Sequence, residues 1–207
     1  MPKPPSNMEI FKKGLWQDNP VLRQVLGICS TLAVTNLLVN TLVMCAGLLF
    51  TLALSSMTVS ILRNYTPMRI RMMAQTLIIA SYVIIVDIVI KAYLPDISDA
   101  LGPYVGLIIT NCIVMGRCEA FARNNHPLPS LVDGIAVSIG YSFVLLVIAF
   151  FREALGFGTL FGFKVMPTGF TPWTVMIMAP GAFFALALFI WIAKTTLPQT
   201  GEKKEQA

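Results

Sequence analysis

The chain has 207 residues, 56% of them hydrophobic and only 12% charged, with a mean hydropathy of +0.75. Soluble domains carry roughly 25% charged residues, so this composition excludes an ordinary water-soluble enzyme and indicates an integral membrane protein. The net charge of +5 is spread along the chain rather than gathered in a basic tail, which gives nucleic-acid binding no support.

Lys3, Lys12 and Lys13 precede no short apolar core with a small-residue cleavage site, so the first membrane segment is expected to stay in place. In IFKKGLW, Ile10, Phe11, Leu15 and Trp16 lie among lysines. That pattern suits a short helix on the cytoplasmic face with Trp16 as an interfacial anchor, the alternative being a disordered tail. From Gln24 to Leu62 there is no charge over 39 residues, nearly twice the ~20 that one helix needs to cross the hydrocarbon. Two spans are expected there, joined by a polar hinge near Asn36 to Asn40. Further spans follow at about Met72–Lys91, Ala100–Gly116, Leu131–Phe151 and Trp173–Ala193, giving six. Between the fifth and sixth, GFGTLFG (156–162) has the wrong glycine spacing for a dinucleotide loop and no strand before it, so it reads as a plain connection.

Basic residues test this count. With the N-terminus inside, only Lys91, Arg152 and Lys164 of the 15 Lys and Arg fall on the outer side, a strong positive-inside bias with both termini cytoplasmic. A repeat adds to it: Pro20, Leu26, Gly27, Thr35 and Asn36 recur as Pro95, Leu101, Gly102, Thr110 and Asn111 at an offset of 75. Spans one and four run in opposite directions, so the fold class expected is an all-α integral membrane protein, a 3+3 inverted-topology repeat in which helices one and four are broken. The expected organisation is a cytoplasmic segment over 1–23, repeats over 24–92 and 93–194, and a cytoplasmic tail over 195–207. Asn36, Asn40 and Asn111 then either line a site at the repeat interface or simply hydrogen-bond between helices.

Cys29 and Cys112 lie on the two interrupted segments. If Arg23 and Arg117 mark the inner boundary, a rise of ~1.5 Å per residue puts Cys29 ~9 Å and Cys112 ~7.5 Å into the bilayer, nearly level. Two level thiols are a candidate metal site, although inert cysteines or a disulfide also satisfy the pattern. An iron–sulfur cluster normally takes four thiolates, and Cys45 and Cys118 lie at other depths, so two further ligands would come from a second chain. Two carboxylates are candidates for a cation pathway. Asp87 precedes Lys91 by one helical turn in span three, and Asp133 follows Ser130 in the manner of a capping box. Glu119 with Arg123, and Arg152 with Glu153, read as helix-end partners, and His126 as a loop residue.

The segments LGICSTLAVT, VGLIITNCIVMGR-x-EAFA, PSLVDGI, GYSFVL, AFFRE and APGAFF resemble the D-type membrane subunits of bacterial Na+-translocating NADH:quinone oxidoreductases, over roughly residues 19–194. The E-type subunits of the ferredoxin-linked Rnf complex are similar but less close, since Ser30 follows Cys29 where Rnf chains tend to have proline. The resemblance implies a bacterial inner-membrane electron-relay subunit in a six-subunit translocase. Cys29 and Cys112 would supply half the ligands of a [2Fe-2S] cluster, and a homologous subunit of opposite orientation would bring two further cysteines. It also implies FAD, FMN and riboflavin on other subunits, NADH and ubiquinone as redox partners of the complex, and Na+ as the exported ion. Cys118 stands where the family usually has alanine. An independent small transporter and a cofactor-free scaffold are the rival function classes.

Overall fold

The computed structural model describes residues 26–67, 69–93, 104–160, 163–164 and 174–196, together with Val21 and Gly102. The expected interfacial helix at 10–16, Pro20, Pro95, Leu101 and the tail beyond 196 lie outside the described residues. Within them the chain is helical apart from one two-residue hairpin. The elements are α1 (Ile28–Val34), α2 (Leu38–Leu62), α3 (Arg71–Tyr93), a helical stretch over 104–109, α4 (Cys112–Arg117), a π turn (Cys118–Ala122), α5 (Pro127–Gly156), β1 (Thr159–Leu160), β2 (Phe163–Lys164), α6 (Thr174–Ile177) and α7 (Ala179–Thr196). The hairpin pairs Thr159 with Lys164 and Leu160 with Phe163, so the connection read as plain loop from its glycines carries a minimal antiparallel ladder.

Four helical segments among the described residues are long and apolar enough to cross a bilayer: Leu38–Leu62, Arg71–Tyr93, Tyr104–Ala122 and Pro127–Gly156. The 25 residues of α2 extend ~37 Å and the 30 of α5 ~45 Å, both longer than a hydrocarbon layer of ~30 Å. α7 is apolar but shorter, and α6 is a single turn before it. The span expected to end at Gly116 runs on to Ala122. Its last turn widens there, with the Arg123 amide bonding back five residues to the Cys118 carbonyl at 3.3 Å.

α2 and α5 form the centre of the bundle. A Cβ at Gly134 of α5 would come within 3.1 Å of the Leu52 carbonyl and 3.2 Å of the Ala53 Cα, so glycine here lets the two backbones approach closely. Around that contact Leu48, Leu52, Tyr141, Leu145 and Ile148 are fully enclosed, and Ile79, Ile108 and Ile113 close the core from the neighbouring segments. α3 contributes one narrow stripe. Its buried residues are Gln75, Ile79, Val83 and Val86, spaced at helical period, while Met73, Leu77, Ile84 and Ile88 face outward. In a bilayer such an apolar outer face is the side turned to lipid, so the residues that would be a liability in water are at home here.

Candidate functional site

The cysteine-bearing segments meet through their neighbours. Gly27 precedes α1 with φ 84°, a left-handed conformation open to glycine at little cost. A Cβ there would also fall 2.6 Å from Ile113 Cδ1 and 2.9 Å from Tyr141 Cε2, so shape and dihedral both demand glycine. With the chain turned this way, the Gly27 carbonyl points into the bundle. It accepts from the Thr31 hydroxyl at 2.9 Å and the Tyr141 hydroxyl at 3.0 Å, with the Ser30 hydroxyl 3.3 Å away.

On the other segment the helix over 104–109 stops at Thr110 and restarts at Cys112. Asn111, extended at ψ 120°, caps the restart by accepting the Ile113 amide on Oδ1 at 2.9 Å. A backbone N–H can only donate, so this bond fixes which end of the Asn111 amide is which. Its Nδ2 therefore faces Ser30 and donates to Oγ at 3.2 Å. Ser30 Oγ lies 2.5 Å from Tyr141 Oη. A hydroxyl has one proton, so the shortest contacts give one directional chain: Asn111 donates to Ser30, Ser30 to Tyr141, and Tyr141 to the Gly27 carbonyl, the longer Ser30–Gly27 approach then carrying no proton. The residue after Cys29 is thus bonded to the residue before Cys112, with both members fully buried.

The thiols themselves are not enclosed by this network. Cys29 is half-buried and Cys112 exposed, and both are free, whereas Cys45 and Cys118 are buried in the core. The Cys118 thiol contacts Ser55 Oγ at 3.8 Å, deep between helices. Among the described residues no three His, Cys, Asp or Glu side chains are grouped to hold a metal. The donor set of the two interrupted segments is therefore two soft thiols, one half-buried and one exposed. Thiolates are the ligands iron–sulfur clusters use, so the donor chemistry of two thiols would suit half of such a site.

The two carboxylates differ. Asp133 is buried, and both of its oxygens engage Arg117: Nε bonds Oδ2 at 3.0 Å, and Nη2 is in close contact with Oδ1. The Arg117 guanidinium also lies 5.5 Å from the centre of the Phe121 ring. The capping box read for Ser130 and Asp133 does not form. α5 already opens at Pro127 with His126 as its N-cap, so Ser130 lies inside the first turn, its amide and hydroxyl both donating to the His126 carbonyl at 3.1 and 2.9 Å. Asp87 accepts from Lys91 Nζ at 2.6 Å, a partly exposed pair one turn apart near the end of α3. The site residues thus fall into three places: the cysteine segments, the Asp133–Arg117 pair, and the Asp87–Lys91 pair.

Arg152 and Glu153 turn out to be far more enclosed than a helix end at a membrane surface suggests, at 2% and 1% exposure. Arg152 donates to the Thr35 hydroxyl at 2.6 Å, the Leu32 carbonyl at 3.4 Å, and the Met176 and Ile177 carbonyls at 3.1 and 3.0 Å. Glu153 accepts the Leu38 amide at 2.7 Å, capping α2. These are helix-end partners, but of helices elsewhere in the chain. Ser30 and Tyr141 do not stand out as site residues in the sequence. The available signal is a tyrosine in the middle of an apolar helix, whose hydroxyl must find a buried partner.

The sequence matches the family described as Rnf-Nqr subunit, membrane protein, over residues 7–190. The chain belongs to this family of multi-pass membrane subunits. The D subunit of the Na(+)-translocating NADH-quinone reductase of Photobacterium profundum is 48% identical to it over 193 residues, covering 91% of this chain and 92% of that protein.

Proposed function

We propose that this chain is the D-type electron-relay subunit of a bacterial Na+-pumping NADH:quinone oxidoreductase. In this reading Cys29 and Cys112 provide two thiolate ligands to a [2Fe-2S] cluster, and a homologous membrane subunit of opposite orientation provides two more. When bound, the cluster supplies a one-electron carrier within the membrane. The residues of this chain set the stage for it: Gly27 turns the first segment inward, Asn111 restarts the second, and Ser30 ties the two together. The observation that supports the reading is the Asn111–Ser30 hydrogen bond, which joins the two cysteine segments while leaving Cys29 half-buried and Cys112 exposed. The 48% identity to the D subunit of a Na(+)-translocating reductase gives the bond its biochemical setting.

The interruptions at 35–37 and 110–111 are then the breaks of helices one and four in a 3+3 inverted repeat, with repeats over 24–92 and 93–194 and both termini cytoplasmic. The complex lies in the inner membrane, exports Na+, takes electrons from NADH towards ubiquinone, and carries FAD, FMN and riboflavin on its other subunits. Asp133 and Asp87 are the carboxylates of this chain that serve the cation pathway. Asp133 is held by Arg117, so it meets a cation only when that pair opens; Asp133→Asn is expected to raise the Na+ concentration needed for half-maximal turnover.

The decisive experiment is iron and acid-labile sulfide analysis of the purified complex, with EPR of the reduced state. Cys29→Ser and Cys112→Ser should each lose the same signal and about two irons per complex, following the nuclearity of a [2Fe-2S] centre. Cys45→Ser and Cys118→Ser should keep it. A full signal in both of the first two variants would sink the assignment.

A further inference from the structure

α1 carries Cys29 but is only seven residues long, too short to hold a fixed direction by its own hydrogen bonds. Two side chains of α5 grip it. At one end the Tyr141 hydroxyl lies 3.0 Å from the Gly27 carbonyl and 2.5 Å from Ser30 Oγ. At the other end Arg152 Nη1 donates to the Thr35 hydroxyl at 2.6 Å. Tyr141 and Arg152 are eleven residues apart, about three turns plus ~20°, so they share one face of α5. Along α5 they stand ~16 Å apart and, along α1, Gly27 and Thr35 stand ~12 Å apart, a difference that the long arginine side chain takes up. Between the grips runs a row of hydroxyl bonds: Thr31 donates to the Gly27 carbonyl at 2.9 Å, and Thr35 to the Thr31 carbonyl at 2.5 Å. Gly27, Thr31 and Thr35 recur every four residues, so they mark one side of α1, and that side is pinned to α5. Cys29 lies two residues from Thr31, ~200° around the helix, on the side turned away. Burial agrees: Ser30, Thr31 and Thr35 are enclosed, whereas Cys29 is half-buried.

Both grips place polar groups in the core, where an apolar side chain would pack without needing a partner. A buried hydroxyl or guanidinium is tolerated only with its bonds made, and the bonds at these two positions fix the orientation of one short helix. Metal ligands are commonly oriented by hydrogen-bonding groups one step further from the metal. Iron–sulfur potentials in turn respond to the hydrogen bonds and solvent exposure around the cluster. The second cysteine segment is tied into the same arrangement, because Asn111 Nδ2 donates to Ser30 Oγ at 3.2 Å.

We propose that Tyr141 and Arg152 are positioning residues for the cysteine ligands, a role that rests on the cluster reading above. They hold α1 at both ends against α5 and so set the pose of Cys29 relative to Cys112. The test compares EPR of the reduced, purified complex, redox titration of the same signal, and iron analysis in wild type and four variants: Cys29→Ser, Tyr141→Phe, Arg152→Lys and Tyr82→Phe. Arg152→Lys keeps the charge but loses the planar fork that reaches Thr35, Met176 and Ile177 at once. Tyr82→Phe is the control, since the Tyr82 hydroxyl joins α3 to Thr58 of α2 at 2.7 Å and makes no bond to the cysteine segments. Tyr141→Phe and Arg152→Lys are expected to keep roughly two irons per complex, with displaced g values and a shifted midpoint potential. Tyr82→Phe should match wild type in both. Tyr141→Phe, with a denaturation temperature close to that of Tyr82→Phe, decides alone where Arg152→Lys fails to assemble; outright loss of its signal at that matched stability also supports the role. Wild-type g values and potential in Tyr141→Phe, with the signal lost in Cys29→Ser, overturn the positioning role and leave the cluster assignment standing. An equal shift in Tyr82→Phe overturns it as general loosening of the bundle. A signal retained in Cys29→Ser overturns the cluster assignment itself, and the positioning role with it.

Discussion

At residues 110–111 the chain caps its own restart with Asn111, whereas at residues 35–37 the helix ends are met by Arg152 and Glu153, 117 and 115 positions further along. Both interruptions leave backbone groups without a partner in their own helix, and a buried N–H or C=O left unpaired costs about 1–3 kcal/mol. The first is handled within four residues: Asn111 Oδ1 takes the Ile113 amide, and the Asn111 carbonyl takes the Met115 amide at 3.1 Å. The second combines local threonine hydroxyls with groups from α5. The Thr31 carbonyl accepts the Thr35 hydroxyl at 2.5 Å, the Val34 carbonyl accepts Thr41 at 3.1 Å, and the Leu32 carbonyl and Thr35 hydroxyl both turn to Arg152. A local cap folds with its own segment. A remote cap exists only once α5 has docked, so the break before α2 is a tertiary structure as much as a local one.

Substitutions separate the two arrangements. Arg152→Met removes one buried cation that serves four acceptors on two segments, and is expected to destabilise the isolated protein by on the order of 3–5 kcal/mol, seen as a large drop in thermal denaturation temperature. A change under ~1 kcal/mol would show that the break before α2 needs no remote support. Glu153→Gln keeps an oxygen for the Leu38 amide but loses the charge, so a loss of about 1–2 kcal/mol is expected, with hydrogen exchange accelerated at the first turn of α2 rather than across the bundle. Asn111→Ala should cost about 1 kcal/mol through the lost cap, and in addition should loosen Cys112 relative to Cys29. A doubled thiol-labelling rate at Cys112 with little change in denaturation temperature is the pattern of a local cap. Tyr141→Phe removes a hydroxyl that bridges Ser30 and Gly27 but keeps the ring in the core, and should cost ~1 kcal/mol or less. Measured with Asn111→Ala in a double-mutant cycle, the two changes should couple, since Ser30 lies between them.

The course of the long apolar segments was legible in the sequence because a bilayer imposes length and charge rules that a soluble fold lacks. Met72–Lys91 became Arg71–Tyr93, and Leu131–Phe151 lies inside Pro127–Gly156. The ends were less so. A helix continues past the hydrocarbon wherever nothing stops it, so Gly116 did not end its segment, and Pro127 started α5 four residues before the first expected apolar position. Of the site, the cysteines and Asn111 stood out because polar or reactive side chains are conspicuous in an apolar run. Tyr141 and Ser30 did not, as their meaning lies in a contact 111 residues apart. Asp133 was visible as a carboxylate but not as the partner of Arg117, because the pairing follows from the turn between them and not from their spacing.

That turn has a consequence for how the chain tolerates change in length. The π turn at Cys118–Ala122 holds more residues than an α turn, and it separates Arg117, which faces Asp133 on α5, from Glu119 and Arg123, which face Arg71 and Gln75 at the start of α3. Removing one residue from it would return the turn to ordinary pitch and swing everything on one side by about 100° relative to the other. Arg117 and Glu119 could then no longer face their two partners at once. A single-residue deletion here would act as a twist applied along the whole segment back to Cys112, more disruptive than replacing any one of the side chains it carries.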